Sequence, residues 1–92
     1  MIAIPSRAEI LTDVSAILAN HLGVPPSTTI DEDTLFFADL GLASIDAVVL
    51  SEAIRDHYGR PLPFEELMAE IGRRTERDLS IGELVGFIIS KS

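Results

Sequence analysis

At 92 residues, with 47% hydrophobic side chains, five aromatics and no Trp, the chain can bury one core of Leu, Ile, Val and Ala, which suits packed helices better than a β-sandwich. A net charge of −8 argues against nucleic acid, whose phosphates require a basic stripe, and favours basic partners instead. The lack of cysteine excludes disulfides, cysteine-zinc sites and thiol nucleophiles of the chain's own, so any reactive sulfur must arrive with a cofactor.

The opening Met1-Ile2-Ala3-Ile4-Pro5 has no basic segment leading into a long apolar run. No uncharged stretch reaches the ~18 residues of a membrane span, so a cytoplasmic protein is expected. Ser6 followed by Glu9 is a capping-box pattern, and Ile10, Leu11, Val14, Ile17, Leu18 and Leu22 recur along one helical face. The first helix is expected over Arg7–Leu22. Gly23 can take the left-handed conformation that ends it, and Pro25-Pro26 prevents resumption. His21, in the last turn, is expected to satisfy terminal carbonyls and not to act as a ligand or base.

Residues 24–43 form a connection long enough that it either has a function or hides a further element. Its second half, from Thr34 to Leu40, reads as a short helical turn whose Leu35, Phe36 and Leu40 anchor the loop on the core. The acidic run Asp31-Glu32-Asp33 raises calcium, but an EF-hand loop needs Gly at its sixth position and Glu at its twelfth. Phe36 and Leu42 stand there, which argues against calcium.

Ser44 opens the second helix, expected over Ser44–Tyr58 with Gly59 and Pro61 as stop signals. A serine at this junction reads first as a cap, its oxygen accepting a backbone N–H one turn in. Leu50, Ile54 and Tyr58 fall on one stripe with Ala47 and Ser51, the expected core face. Ile45, Val48, Val49, Glu52 and Asp56 project from the other side. Three β-branched apolar residues there have no structural need. Either Ile45 and Val48 pack under the preceding loop, or the face is a docking surface, apolar in the middle and acidic at its edges. Charge favours docking of a basic partner: residues 31–56 hold seven carboxylates against Arg55 alone.

A short third helix is expected over residues 62–71, with Pro63, Glu65 and Glu66 in its first turn and Phe64, Leu67, Met68 and Ile71 as its apolar stripe. Gly72 ends it. Arg73, Arg74 and Arg77, among Glu70, Glu76 and Asp78, read as a solvated, self-paired charge cluster. The fourth helix opens with a second capping box, Ser80 and Glu83, and carries Ile81, Leu84, Val85, Ile88 and Ile89, with Phe87 at the edge. The sum is an all-α chain of four helices with one long loop.

Catalysis by the chain itself has little support. Gly41-Leu42-Ala43-Ser44 does not match G-x-S-x-G, neither His lies in a motif, and there is no Gly-rich phosphate loop or metal-ligand cluster.

Leu40-Gly41-Leu42-Ala43-Ser44-Ile45-Asp46-Ala47-Val48, followed by an acidic helix, resembles the signature of the acyl carrier protein family, which reads approximately L-G-x-D-S-[LI]-D. The likeness in element order spans nearly the whole chain. It implies a four-helix bundle over residues 1–92 as one monomeric carrier domain without catalytic activity or a metal; the Met1 start and a C-terminus soon after the fourth helix suggest a free-standing protein, with an excised domain of a larger synthase as the alternative. It also implies that Ser44 receives 4′-phosphopantetheine from coenzyme A through a separate phosphopantetheinyl transferase. The arm's thiol would carry acyl groups as thioesters in fatty acid, polyketide or related biosynthesis. Implied partners are the transferase, an acyl-loading ligase or acyltransferase, and synthase enzymes with basic docking surfaces, met by Asp39, Ile45, Asp46, Val48, Val49, Glu52 and Asp56.

Three departures stand out. Ala43 occupies the place of the usual Asp, or of the His of many peptidyl carriers; Val49 stands where many carriers have Glu; and residues 73–77 lengthen the segment before the last helix. The competing readings are a peptidyl carrier of a nonribosomal peptide pathway, an unmodified carrier-like interaction module, and a small hydrolase using Ser44.

Overall fold

The computed structural model of the chain describes residues 6–25, 27–59 and 62–91. Four helices follow one another: α1 (Arg7–Leu22), α2 (Ser44–Tyr58), α3 (Phe64–Gly72) and α4 (Ile81–Ser90). Among the described residues the only extended pairing is an isolated antiparallel bridge between Leu35 and Ser80. The expected all-α order is present; the stop signals Pro26 and Pro61 and the stretch 1–5 lie outside the described residues.

The helix ends follow from local chemistry. The Ser6 hydroxyl accepts from the Glu9 N–H at 3.2 Å to start α1, and Gly23, at φ 70°, ends it by donating to the Leu18 carbonyl. The His21 imidazole is exposed and makes no hydrogen bond among the described residues, contrary to its expected role. The backbone N–H groups of Gly23 and Val24 already reach the Leu18 carbonyl. The α4 capping box forms as its sequence pattern predicts, with Ser80 and Glu83 each accepting from the other's backbone. α3 begins two residues later than expected, because Pro63 disfavours helical geometry at the residue before it. Leu62 is buried ahead of the helix and Pro63 is the N-cap, with ψ 67°. Gly72 is still helical, and Arg73 caps the end.

The core takes Ile10, Val14, Ile17 and Leu18 from α1, Leu50 and Ile54 from α2, Phe64, Leu67 and Ile71 from α3, and Ile81, Leu84, Val85 and Ile88 from α4. α1 packs against both α2 and α4. At its far end the Tyr58 hydroxyl donates to Asp13 at 2.9 Å, tying α2 to α1.

The long loop is held by reciprocal capping. Residues 35–40 form a helical turn, with Asp39 and Leu40 N–H donating to the Leu35 carbonyl and Gly41 N–H to that of Phe37. The first N–H groups of such a turn need outside acceptors. Leu35 donates to Asp39 Oδ2, Phe36 to the Leu79 carbonyl, and Phe37 and Ala38 to the two carboxylate oxygens of Asp78. In return, the first N–H groups of α4, Ile81 and Gly82, donate to the Thr34 and Glu32 carbonyls at 2.9 Å each. Arg7 fastens the same junction, donating to the Glu32 carboxylate and to the Gly82 carbonyl. Phe36 is fully buried and Leu40 packs on the core, joined by Ile30, Phe37 and Leu42. Leu35 does not anchor as expected. Its backbone bridges Ser80, so its side chain points opposite to that of Phe36, into a cleft with Ala38, Arg74 and Arg77.

Candidate functional site

The start of α2 is where the long loop delivers its chain. Gly41 turns it at φ 66°, a left-handed conformation that favours glycine. Ala43 is then the N-cap, at φ −105° and ψ 172°, and Ser44 is the first helical residue. The expectation of Ser44 as the cap is therefore corrected. A capping side chain must leave an extended backbone to fold over the helix end, and here that backbone belongs to Ala43, which has no acceptor. Asp46 does part of the work, its Oδ2 accepting from the Ala43 N–H at 2.7 Å.

This leaves Ser44 chemically available. Its side chain is exposed, and among the described residues its hydroxyl makes no hydrogen bond. The hydroxyls of Ser6, Ser15, Ser51, Ser80 and Ser90 are all engaged with backbone or side-chain partners. Among the described residues Ser27 is the other serine with an unengaged hydroxyl, and it lies in an exposed loop. The backbone N–H groups of Ser44 and Ile45 also have no partner among the described residues, while that of Asp46 donates to the Ala43 carbonyl at 3.0 Å. Open N–H groups at a helix N-terminus favour an anion such as a phosphodiester. The position thus fits a phosphate-linked arm.

The surface beside Ser44 has the expected composition. Ile45, Val48 and Val49 are 66%, 51% and 37% exposed, so Ile45 and Val48 do not pack under the loop. Glu52 and Asp56 are exposed at the edge, next to Arg55. Asp39 and Asp46 differ from these two, since each commits a carboxylate oxygen to a backbone N–H. The core face is also as expected, with Ala47, Leu50, Ser51 and Ile54 buried and Tyr58 partly buried. Between α2 and α3, a cleft of about 310 Å³ is lined by Ala47, Val48, Phe64 and Met68 with Ser51, Arg55 and Glu65 at its walls.

The charged segment after α3 is not uniformly solvated and self-paired. Arg74 binds Glu70 and Glu83 and donates to the Asp78 carbonyl at 3.2 Å, whereas Arg73 and Arg77 are exposed. Asp78 faces the loop. Burial pushes its carboxyl up, but N–H groups of Phe37, Leu79 and Ala38 outweigh that and hold it below the ordinary aspartate value. Sequence reasoning missed this residue because its acceptor role is met 40 positions away, where no local pattern records it.

The family described as "Phosphopantetheine attachment site" matches residues 12–88. The chain is 38% identical to an acyl carrier protein of Thermosynechococcus vestitus over 61 residues, covering 66% of this chain and 74% of that protein. It is 34% identical to an acyl carrier protein of a Bradyrhizobium species over 71 residues, covering 75% and 89% respectively. Matched over most of its length and on both sides of the α2 junction, the chain belongs to the acyl carrier protein family, and its prosthetic group is 4′-phosphopantetheine.

Proposed function

We propose that Ser44 is the attachment residue and that the chain is a carrier of acyl groups, not a catalyst. The observation that carries this reading is the Ser44 hydroxyl at the first position of α2, which, like the two N–H groups beside it, has no hydrogen-bond partner among the described residues. A phosphodiester at that helix end is favoured by ~0.3–1 kcal/mol at an exposed site. Once attached, the arm supplies the terminal thiol that this cysteine-free chain lacks, and with it thioester chemistry. The chain's own residues present the serine, keep its hydroxyl out of competing hydrogen bonds, and offer a surface to the enzymes that use it.

That surface is α2. Ile45, Val48 and Val49 form its apolar centre, and Glu52 and Asp56 an acidic edge, with Asp39 and Asp46 contributing their remaining carboxylate oxygens at the serine end. Such a face suits partners that set an apolar contact within a basic rim: the phosphopantetheinyl transferase, an acyl-loading ligase or acyltransferase, and synthase enzymes. The acyl carrier proteins among its relatives support acyl over aminoacyl cargo, in fatty acid, polyketide or related biosynthesis in the cytoplasm.

The test is intact-mass spectrometry after incubation with coenzyme A and a broad-specificity transferase. The wild-type chain gains one phosphopantetheine-sized increment and Ser44→Ala gains none. A gain that survives Ser44→Ala, or no gain in the wild type, rejects the assignment.

A further inference from the structure

We propose that Asp78, on the connection between α3 and α4, is a positioning residue for Ser44, holding the helical turn that delivers the serine to its modifying enzyme; the inference rests on Ser44 being the attachment residue. Asp78 Oδ1 accepts from Phe37 N–H at 3.0 Å and Oδ2 from Ala38 N–H at 3.1 Å. A carboxylate receiving two adjacent backbone N–H groups makes charge-assisted bonds and acts as a cap supplied from 40 residues away. Only five residues separate Ala38 from Ser44. Within them the turn passes its order forward, Gly41 N–H donating to the Phe37 carbonyl at 3.0 Å and Leu42 N–H to that of Phe36 at 3.4 Å.

Asp78 is itself immobilised. Oδ1 also accepts from Leu79 N–H at 2.8 Å, and its carbonyl accepts from Arg74, which is pinned between Glu70 and Glu83. The turn at Phe37 and Ala38 is therefore held by the connection between α3 and α4, while α2, the helix that bears the serine, holds only the Ala43 end of the loop through Asp46. Without the Asp78 carboxylate, two neighbouring N–H groups lose their acceptors and the turn opens more often. An enzyme that accepts only the ordered turn then sees a smaller competent fraction, so its apparent KM for the chain rises while kcat holds.

The experiment uses the purified chain with coenzyme A and the transferase, comparing wild type, Asp78→Asn and Asp78→Ala, with amide hydrogen exchange on the same proteins. Asp78→Ala is expected to raise KM by about tenfold or more at unchanged kcat. It should also speed exchange at Phe37 and Ala38 while core amides of α1 and α4 stay protected. Asp78→Asn, which keeps one accepting oxygen, falls between. Wild-type KM together with unchanged protection at Phe37 and Ala38 overturns the proposal. So does exchange accelerated equally throughout α1 and α4, since that is loss of global stability and not of local order. A wild-type chain that gains no arm rejects the Ser44 assignment itself, and the exchange data then report separately on whether Asp78 holds the turn.

Discussion

The Gly82 N–H donates to the Glu32 carbonyl at 2.9 Å, and a Cβ at position 82 would stand 2.8 Å from that same oxygen and 2.9 Å from Glu32 Cβ. The long loop thus lies against the first turn of α4 with no room for a side chain. Two effects of Gly82→Ala oppose each other. Alanine favours the helix by up to ~1 kcal/mol, but the oxygen it meets is backbone, tied down by the neighbouring bond from Ile81 to the Thr34 carbonyl. Steric cost dominates, and Gly82→Ala is expected to lose about 1–3 kcal/mol in urea unfolding. Gly72, helical with nothing within 4 Å of an added Cβ, is the control: Gly72→Ala should leave stability unchanged or raise it by up to ~1 kcal/mol. Equal effects of the two substitutions would contradict the close approach.

Acid should act on the same junction. The hydrogen bond from Arg7 holds the Glu32 carboxyl below its usual value, and that from Arg74 does so for Glu83. Burial raises Asp78, but its three backbone donors bring the net value below the ordinary 3.8. A carboxyl lowered on folding contributes stability that is complete above its unfolded value and lost as pH falls through its folded one. For Asp78 that window lies below 3.8. The stability difference between wild type and Asp78→Ala should therefore be constant from neutral pH to about 5 and shrink below 3.8. Comparing the two proteins at each pH cancels the general relief of repulsion in a chain of net charge −8. The Arg7–Glu32 pair is exposed, so 1 M salt should weaken it.

The legible and the hidden parts of this structure divide by distance along the chain. α1, α2 and α4 could be read because their apolar stripes, and in α1 and α4 their N-caps, lie within a turn or two: Ser80 and Glu83 are three residues apart and bond as their spacing implies. The outward Ile45, Val48 and Val49 were legible because α2 already had a complete core face without them. Asp78 was not, since its charged neighbours suggested pairing with arginine while its oxygens meet Phe37 and Ala38. Leu35 was misjudged for the same reason, its direction being set by a bridge to Ser80. The Ser44 cap failed by a single residue, because Ala43 and not Ser44 carries the extended backbone.

The α2 face separates stability from recognition. Val49 is on the exposed face, and a β-branched residue there adds nothing to helix propensity. Val49→Arg is expected to leave thermal stability within about 0.5 kcal/mol of wild type. Opposite a basic partner, the same charge should raise the transferase's apparent KM by about tenfold. Thermal melts and steady-state kinetics on one preparation check both halves, and an unaltered KM would remove Val49 from the docking surface.

Ala43 offers the sharpest test of the helix terminus. It holds an N-cap backbone without a capping side chain, while the Ile45 N–H stands without a partner among the described residues. Ala43→Ser supplies the missing acceptor and is expected to stabilise the fold by ~0.5–2 kcal/mol. Ala43→Asp supplies it too and suits the helix dipole, but sets a second carboxylate beside that of Asp46, whose Oδ2 already accepts from the residue-43 N–H. Repulsion between these carboxylates should place Ala43→Asp below Ala43→Ser at low ionic strength, and the gap should close as salt screens it. Urea unfolding of the three proteins at two salt concentrations measures this. If Ala43→Asp is the more stable at low salt, the dipole outweighs Asp46. The terminus would then tolerate a further negative charge more readily than the carboxylate pair implies, and so would a phosphodiester on Ser44.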